Sequence, residues 1–413
     1  MKKKRIKKKY KNILVVFVVF VLILAIMPHF NQNEEDSKEE LLTDFSGMSI
    51  LEVQNYGDKH EMEVIVSYQY HDSIIKDNVI LSSIIDNKID IIVSLGQIDE
   101  KVYREYNVNE LGRVPIMMYH GIVDITETEY IGGNVDKDGY NRTANAFRED
   151  LEFYYQSGYR MIRLFDYVNG KIDVPLGNSP IILTFDDGNK NNFNVLGRNS
   201  DGSLQIDPNC AVGILESFKK KYPDFNVTAT FFVMNGLFNQ SEYNEEILRW
   251  LVDNGYDVGS HTTNHANFTE IGTNKTQEVV GKMYKKLESV LGDKYVNILA
   301  LPYGSPYKKN HVNYPYILKG TYDGYSYETI AALQVGWESE VSPFNKNFDK
   351  YFLKRCRAYD NNGSEFDIEM VFKNLEKNRY ISDGDIDTVV IEESMKDTLN
   401  SEIKNVITYK EEK

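Results

Sequence analysis

The run Pro180-Ile181-Ile182-Leu183-Thr184-Phe185 leads straight into Asp186-Asp187-Gly188, and that junction narrows the folds open to this chain. A strand with apolar side chains on both faces has to be covered on both, which is the condition of a strand inside a parallel α/β sheet. Gly188 permits a sharp turn directly after it. Asp186 and Asp187 therefore stand at the carboxyl end of a buried strand, the edge of α/β folds where loops vary and ligands bind. Elsewhere in 114–391 strand-like runs alternate with amphipathic helical ones. Phe147, Leu151 and Tyr154 share one helical face, and Gly158 closes that helix before the strand-like Tyr159 to Leu164. Helices are also predicted over Glu246 to Asn254 and Thr276 to Leu291, the second with Val279, Met283, Leu287 and Val290 on one side. Residues 114–391 suffice for one barrel domain.

His261-Thr262-Thr263-Asn264-His265 supplies two imidazoles that complement those carboxylates. Asp187 with His261 and His265 is the donor set of a catalytic zinc-type centre, three protein ligands with positions left for water and substrate. Asp186, beside a ligand, is placed to take a proton as a general base. Either motif alone is compatible with a solvated turn or with two surface histidines. Their occurrence together after apolar runs, in a chain with only seven histidines, points to a metal site.

These residues resemble the NodB-type polysaccharide deacetylases, the family-four carbohydrate esterases, whose first two motifs read T-F-D-D-G and H-[ST]-x-x-H. Weaker landmarks follow the family's order: Val114 to His120, Ala229 to Val233, Leu251 to Gly255, and Leu301-Pro302-Tyr303-Gly304. The resemblance implies a distorted (β/α)7 barrel that hydrolyses N-acetyl groups on amino sugars. It implies Asp186 as base, Asp187, His261 and His265 as ligands of a divalent metal, and the Tyr303 N–H as a donor to the oxyanion. Zinc suits these ligands, as do cobalt, nickel and iron. Two departures stand out. Many members carry an arginine two residues before the proline, where this chain has Ala300. Some relatives that lack it carry one at a place comparable to Leu353-Lys354-Arg355-Cys356-Arg357, so the resemblance makes Arg355, then Arg357, the candidate partner of Asp186, with an exposed strand face as the alternative for both. No histidine follows His311, so the family's C-terminal general acid is missing. Some secreted relatives that act on biofilm polysaccharides begin with a strand ending in Tyr-His, which makes His120 the candidate acid, with capping or packing as its alternative.

The first twelve residues carry eight basic side chains, and an apolar run follows from Ile13 to Met27. This reads as a basic cytoplasmic flank, 1–12, and a signal anchor over 13–30, short for a full span and without a small-x-small cleavage site. The chain would then be a single-pass membrane protein with Asn31 onward outside the cell. The formal charge is −15, so without those eight residues the remainder stands at −23. So acidic a remainder argues against a nucleic-acid partner. Only Cys210 and Cys356 are present, so a single disulfide could form without being required.

Residues 31–44 read as an acidic linker. From 45 to 97 a helix near Met48 to Asn55 and strands at Glu63 to Tyr68, Asn78 to Ser82 and Ile89 to Ser94 predict a small α/β module. Its Val79-Ile80-Leu81-Ser82 and Ile91-Ile92-Val93-Ser94-Leu95-Gly96 resemble a PASTA domain, which implies attachment to peptidoglycan; a spacer without a ligand is the alternative. Residues 98–113 read as a linker and 392–413 as a charged tail, exposed helix or disordered. Val195 to Ala211, rich in Asn, Gly, Ser and Asp, reads as a long loop, either functional or disordered. The expected function is removal of N-acetyl groups from cell-wall peptidoglycan. Exported poly-N-acetylglucosamine is the second substrate, and a wall-glycan-binding protein without catalysis the rival of another class.

Overall fold

The computed structural model describes residue 42 and residues 44–410, apart from 72, 86, 126–134 and 365. It divides into two compact units, 1–98 and 99–413. The expected basic flank, signal anchor and most of the acidic linker lie outside the described residues. Among the described residues no helix is long and apolar enough to cross a membrane.

In the first unit a helix, α1 (Ile50–Lys59), starts at Ser49, whose hydroxyl accepts from Glu52 N while the Glu52 carboxylate accepts from Ser49 N. This reciprocal cap satisfies two otherwise orphaned donors. Three strands follow, β1 (Glu63–Gln69), β2 (Val79–Ile85) and β3 (Lys88–Ser94), with β3 between β1, parallel to it, and β2, antiparallel. Phe45, Val53, Val79, Ile89, Ile91 and Val93 form the core. Each buried aliphatic side chain contributes about 1.5–3 kcal/mol. The predicted helix and three strands are all present, the helix starting and ending later than its sequence estimate.

The second unit is an α/β fold around a curled sheet. Its strands are β4 (Ile116–Tyr119), β5 (Tyr159–Met161), β6 (Ser179–Phe185), β7 (Thr230–Val233), β8 (Asp257–Ser260), β9 (Ile298–Ala300), β10 (Ala331–Leu333) and β11 (Cys356–Arg357). They run β10-β9-β8-β7-β6-β4-β11, every pair parallel, with β5 also on β6. One bridge, Leu333 to Leu353, ties β10 to the segment entering β11 and draws the two edges of the sheet together. All seven residues of β6 are buried, as an apolar strand covered on both faces must be. Phe185 stacks between Tyr119 and Phe231, with ring centroids 5.3 and 4.9 Å away. Helices α2 (Ala144–Gln156), α3 (Ala211–Lys221), α4 (Asn244–Asp253) and α5 (Thr273–Leu291) bury their apolar stripes, including Phe147, Leu151, Tyr154, Val279, Met283 and Leu287. Since the strands are parallel, their carboxyl ends share one rim. His120, Asp186, His261 and the turn at Pro302 each follow a strand directly, and so emerge there.

Three stretches differ from expectation. Residues 99–113 are not a linker: Val108 and Leu111 are buried, and Glu110 accepts from Tyr380 Oη at 2.8 Å and Val390 N at 2.6 Å. The tail is ordered over its described part: a short 3-10 helix, Glu393–Thr398, buries no residue, as an exposed helix would, but Val406–Tyr409 then pairs parallel with Val389–Glu392 and buries Tyr409. The long loop contains a β-hairpin, Val195–Arg198 with Leu204–Ile206, that buries Val195 and Leu204 and pairs Arg198 with Glu246 of α4. In each case a few apolar residues among many polar ones supply the anchor. Cys210 and Cys356 are both buried free thiols.

Candidate active site

At the end of β6 the chain turns within two residues. Asp187 has φ 76° and Gly188 φ 65°, and a Cβ on Gly188 would stand 2.6 Å from the Leu237 carbonyl oxygen. Only glycine fits that approach. The histidine segment after β8 is a loop, with Thr262 at φ 63° and His265 at φ 56°. A β-branched residue there is strained. Thr262 N donates to Ser260 Oγ, and Thr262 Oγ1 accepts from Ala266 N, both at 3.2 Å. This folded loop brings His265 back towards Asp187.

Asp187, His261 and His265 offer ligand atoms that all lie within 4.8 Å of one another. His261 Nε2 is 3.4 Å and His265 Nε2 3.8 Å from Asp187 Oδ1. His261 Nδ1 stands 2.8 Å from the Ala300 carbonyl oxygen, a geometry in which Nδ1 donates and Nε2 carries the lone pair. Nε2 and Asp187 Oδ1 are both buried without a hydrogen-bond partner. Two lone-pair atoms facing each other in the interior are costly unless a cation lies between them. The residues present therefore fit a divalent metal. His261 is fully enclosed, whereas His265 and Asp187 are partly exposed, so the cluster opens on that side.

Asp186 is buried and bound by Arg355 in a bidentate pair, Nη1 to Oδ1 at 2.8 Å and Nη2 to Oδ2 at 2.7 Å. Arg355 is itself buried, with Nε on the Gln334 carbonyl at 2.8 Å and Nη1 also 3.2 Å from Thr184 Oγ1. Burial alone would raise the Asp186 carboxyl, but the Arg355 guanidinium, then His261, hold it well below the usual carboxylate range. Arg357, the second candidate, lies instead with its guanidinium 3.9 Å from the centre of the Trp337 ring.

His120 lies partly buried at the end of β4. Its Nδ1 is 3.1 Å from the Gly139 carbonyl oxygen and its ring 5.3 Å from that of Tyr140. Burial lowers its pKa from the ordinary imidazole value, while the Asp186 and Asp187 carboxylates pull it upward. Tyr303 has φ 58°, and its half-exposed ring packs 4.4 Å from His265. Among the described residues its backbone N–H donates to no protein group. The structure thus gathers Asp186, Asp187, His120, His261, His265, Tyr303 and Arg355 on one rim. Sequence reasoning missed the supports: the Ala300 carbonyl on His261, the Gln334 carbonyl on Arg355, and Asn192, whose side-chain amide donates to the His120 carbonyl at 2.5 Å. Backbone acceptors leave no residue-type signal, and Asn192 sits in a stretch dense with asparagine.

The polysaccharide deacetylase family model matches residues 173–315. The match contains Asp186, Asp187, His261, His265 and Tyr303 but neither His120 nor Arg355. No curated protein sequence matches the chain. Among solved structures the chain resembles a candidate polysaccharide deacetylase from Bacillus anthracis at 20% identity and TM-score 0.41, over 59% of this chain and 64% of that one, just under two thirds of its length. The Streptococcus pyogenes deacetylase PplD, solved with acetate, is similar at 17% identity and TM-score 0.45, over 65% of this chain and 98% of that one. A de-N-acetylase from Aggregatibacter actinomycetemcomitans is similar at 16% and 0.41, over 64% and 99%.

Proposed function

We propose that the second unit is a metal-dependent deacetylase that removes N-acetyl groups from the amino sugars of a cell-wall glycan, peptidoglycan first. The observation that carries this reading is a buried carboxylate, Asp186, held by its own arginine directly beside the donor set Asp187, His261 and His265. A structural ion pair needs no metal-ligand cluster next to it, whereas a base that acts on metal-activated water stands beside one. The family match over 173–315 supports the same chemistry.

When bound, a divalent cation supplies Lewis acidity, polarising the acetyl carbonyl and acidifying water. Zinc is the first choice for two imidazoles and a carboxylate, with cobalt, nickel or iron able to use the same donors. Asp186 takes one proton from the attacking water, and Arg355 keeps the carboxylate ionised until it does so. Oxygen bonds to the acetyl carbon, and the former carbonyl oxygen gains negative charge that the Tyr303 N–H, which among the described residues donates to no protein group, is free to stabilise. As the carbonyl reforms, the C–N bond breaks, its electron pair goes to nitrogen, and nitrogen takes a proton from His120 Nε2. Acetate and a free amine leave. The Gly139 carbonyl accepts from Nδ1–H, so His120 has a proton to give at Nε2 only as the imidazolium, the form that burial opposes and the Asp186 and Asp187 carboxylates favour.

Peptidoglycan as substrate is supported by the PASTA-like segments in the first unit, which we read as a wall-binding module, and by the basic and apolar stretches of residues 1–30, which we read as a membrane anchor with the catalytic unit outside. Poly-N-acetylglucosamine is the second substrate, favoured by the strand ending in Tyr119-His120. Incubating the metal-loaded protein with each polymer and measuring acetate separates the two. Metal bound but no acetate from any acetylated glycan would leave a wall-binding protein and end the catalytic reading.

A further inference from the structure

A buried ionic assembly centred on Arg142 takes no direct part in this chemistry. Nε and Nη2 of Arg142 donate to Asp150 of α2 at 2.9 and 2.5 Å, Nη1 donates to Asp360 at 2.5 Å, and Asp136 Oδ1 lies 3.7 Å from Nη1. One guanidinium therefore serves three carboxylates from three separate parts of the chain. Asp150 also accepts from Tyr119 Oη at 3.0 Å, and Tyr119 is the residue immediately before His120.

The stretch 136–143 is closed on itself. Asp136 accepts from Thr143 N at 2.7 Å and Thr143 Oγ1 at 3.0 Å, while Asp136 N donates to the Asn141 carbonyl at 2.8 Å. Asp360 N reaches the Asp136 carbonyl at 2.6 Å, and Gly121 N reaches the Tyr140 carbonyl at 3.0 Å. Within this loop sits Gly139, φ 77°, whose carbonyl oxygen faces His120 Nδ1. The two features that set the imidazole, its backbone beside Tyr119 and its ring against Gly139, both lead to Arg142. Without the guanidinium, Asp136, Asp150 and Asp360 would repel one another and pull the loop off α2.

We propose that Arg142 is a positioning residue for His120: by tying Asp150, Asp136 and Asp360 together, it holds the Gly139 carbonyl against Nδ1 and turns Nε2 towards the scissile nitrogen. The inference rests on the reading of His120 as the acid. It also predicts a leaving-group signature. When an amide C–N bond breaks, the nitrogen must be protonated, whereas the phenolate of an aryl acetate departs without a proton. Displacing His120 should therefore slow amide hydrolysis more than ester hydrolysis. A general loss of structure would slow both.

The test compares acetate release from an N-acetylglucosamine oligomer with aryl-acetate hydrolysis by the metal-loaded protein, for wild type, His120→Ala, Arg142→Met, Arg142→Lys and Asp360→Asn. Asp360 is more than half exposed, so its variant keeps the test alive if the Arg142 variants do not fold. The expected result is an amide-to-ester ratio about ten- to a hundredfold lower in Arg142→Met, since small misplacements of a general acid remove most of its contribution. Arg142→Lys should recover part of it, and Asp360→Asn should fall in the same direction. If His120→Ala lowers the ratio but the folded Arg142 and Asp360 variants do not, Arg142 has no positioning role. If His120→Ala leaves the ratio unchanged, the acid assignment falls and this inference with it.

Discussion

The two ends of the curled sheet handle buried carboxylates in opposite ways. At the carboxyl end Asp186 is enclosed with one arginine to itself, and Arg355 holds it ionised against the pull of burial. Near the amino ends of β4 and β6, Glu110 and Asp383 are also buried, yet among the described residues no basic side chain hydrogen-bonds to either. Burial, reinforced by Asp383, raises Glu110 well above the usual range, and burial pushes Asp383 up to about 6. The same low-dielectric interior therefore holds an acid ionised where Arg355 opposes burial, and leaves two acids that give up their protons later than usual where no basic side chain does. Arg355 converts a site that would otherwise resemble the far end of the sheet into one with an ionised carboxylate.

Removing Arg355 should break this difference most sharply. Arg355→Met leaves Asp186 buried and unpaired, a change expected to cost about 3–5 kcal/mol of stability, read from the urea midpoint. Turnover should fall about a hundredfold or more, because a carboxyl that retains its proton cannot act as base. In the double variant Arg355→Met with Asp186→Asn, stability should return in part and turnover should not. A double variant as unstable as the single one would show that Arg355 acts through packing. His120→Ala should be milder for stability, since the ring is only partly buried, and should lower amide turnover about a hundredfold. Metal content measured on the same sample should be unchanged, and amide turnover equal to wild type would remove His120 from the mechanism.

The carboxyl end was largely legible in the sequence, and the reason is geometric. In a parallel sheet a residue that follows an apolar strand emerges at one rim, so Asp186, His261 and His120 could each be placed from their own neighbours. Arg355 was legible only through the family resemblance, which offers an arginine at a comparable place when the one before the proline is absent, as it is at Ala300. The Arg142 assembly left no trace, since its partners Asp150 and Asp360 lie 8 and 218 residues away and no periodicity links them. The amino end was misread for a similar reason. Glu110 sits in a polar stretch that looked like a linker, and it is buried only because 380–390 folds back over it. Local composition registers strands and motifs, and it is blind to contacts made by distant segments.

Asp383 offers the smallest and most specific test of the contrast. Its carboxyl rises from 3.8 to about 6 on folding, so the folded state favours the protonated form. The stability this contributes is fully present below about pH 4 and is lost as pH rises through about 6. Asp383→Asn cannot titrate and keeps an oxygen to accept from Asp385 N, so the variant should gain on wild type across that window. About two pKa units correspond to at most about 3 kcal/mol. Urea midpoints of both proteins at pH 4.5 and 7.5 measure the gain, and parallel midpoints would mean that Asp383 is ionised throughout. The Asp186–Arg355 pair carries the opposite sign, with its contribution present above the ordinary carboxylate range and lost as pH falls. Acidification should therefore relax the amino end of the sheet while it loosens the carboxyl end, so Asp383→Asn should raise the urea midpoint at pH 7.5 without altering the acid limb of unfolding.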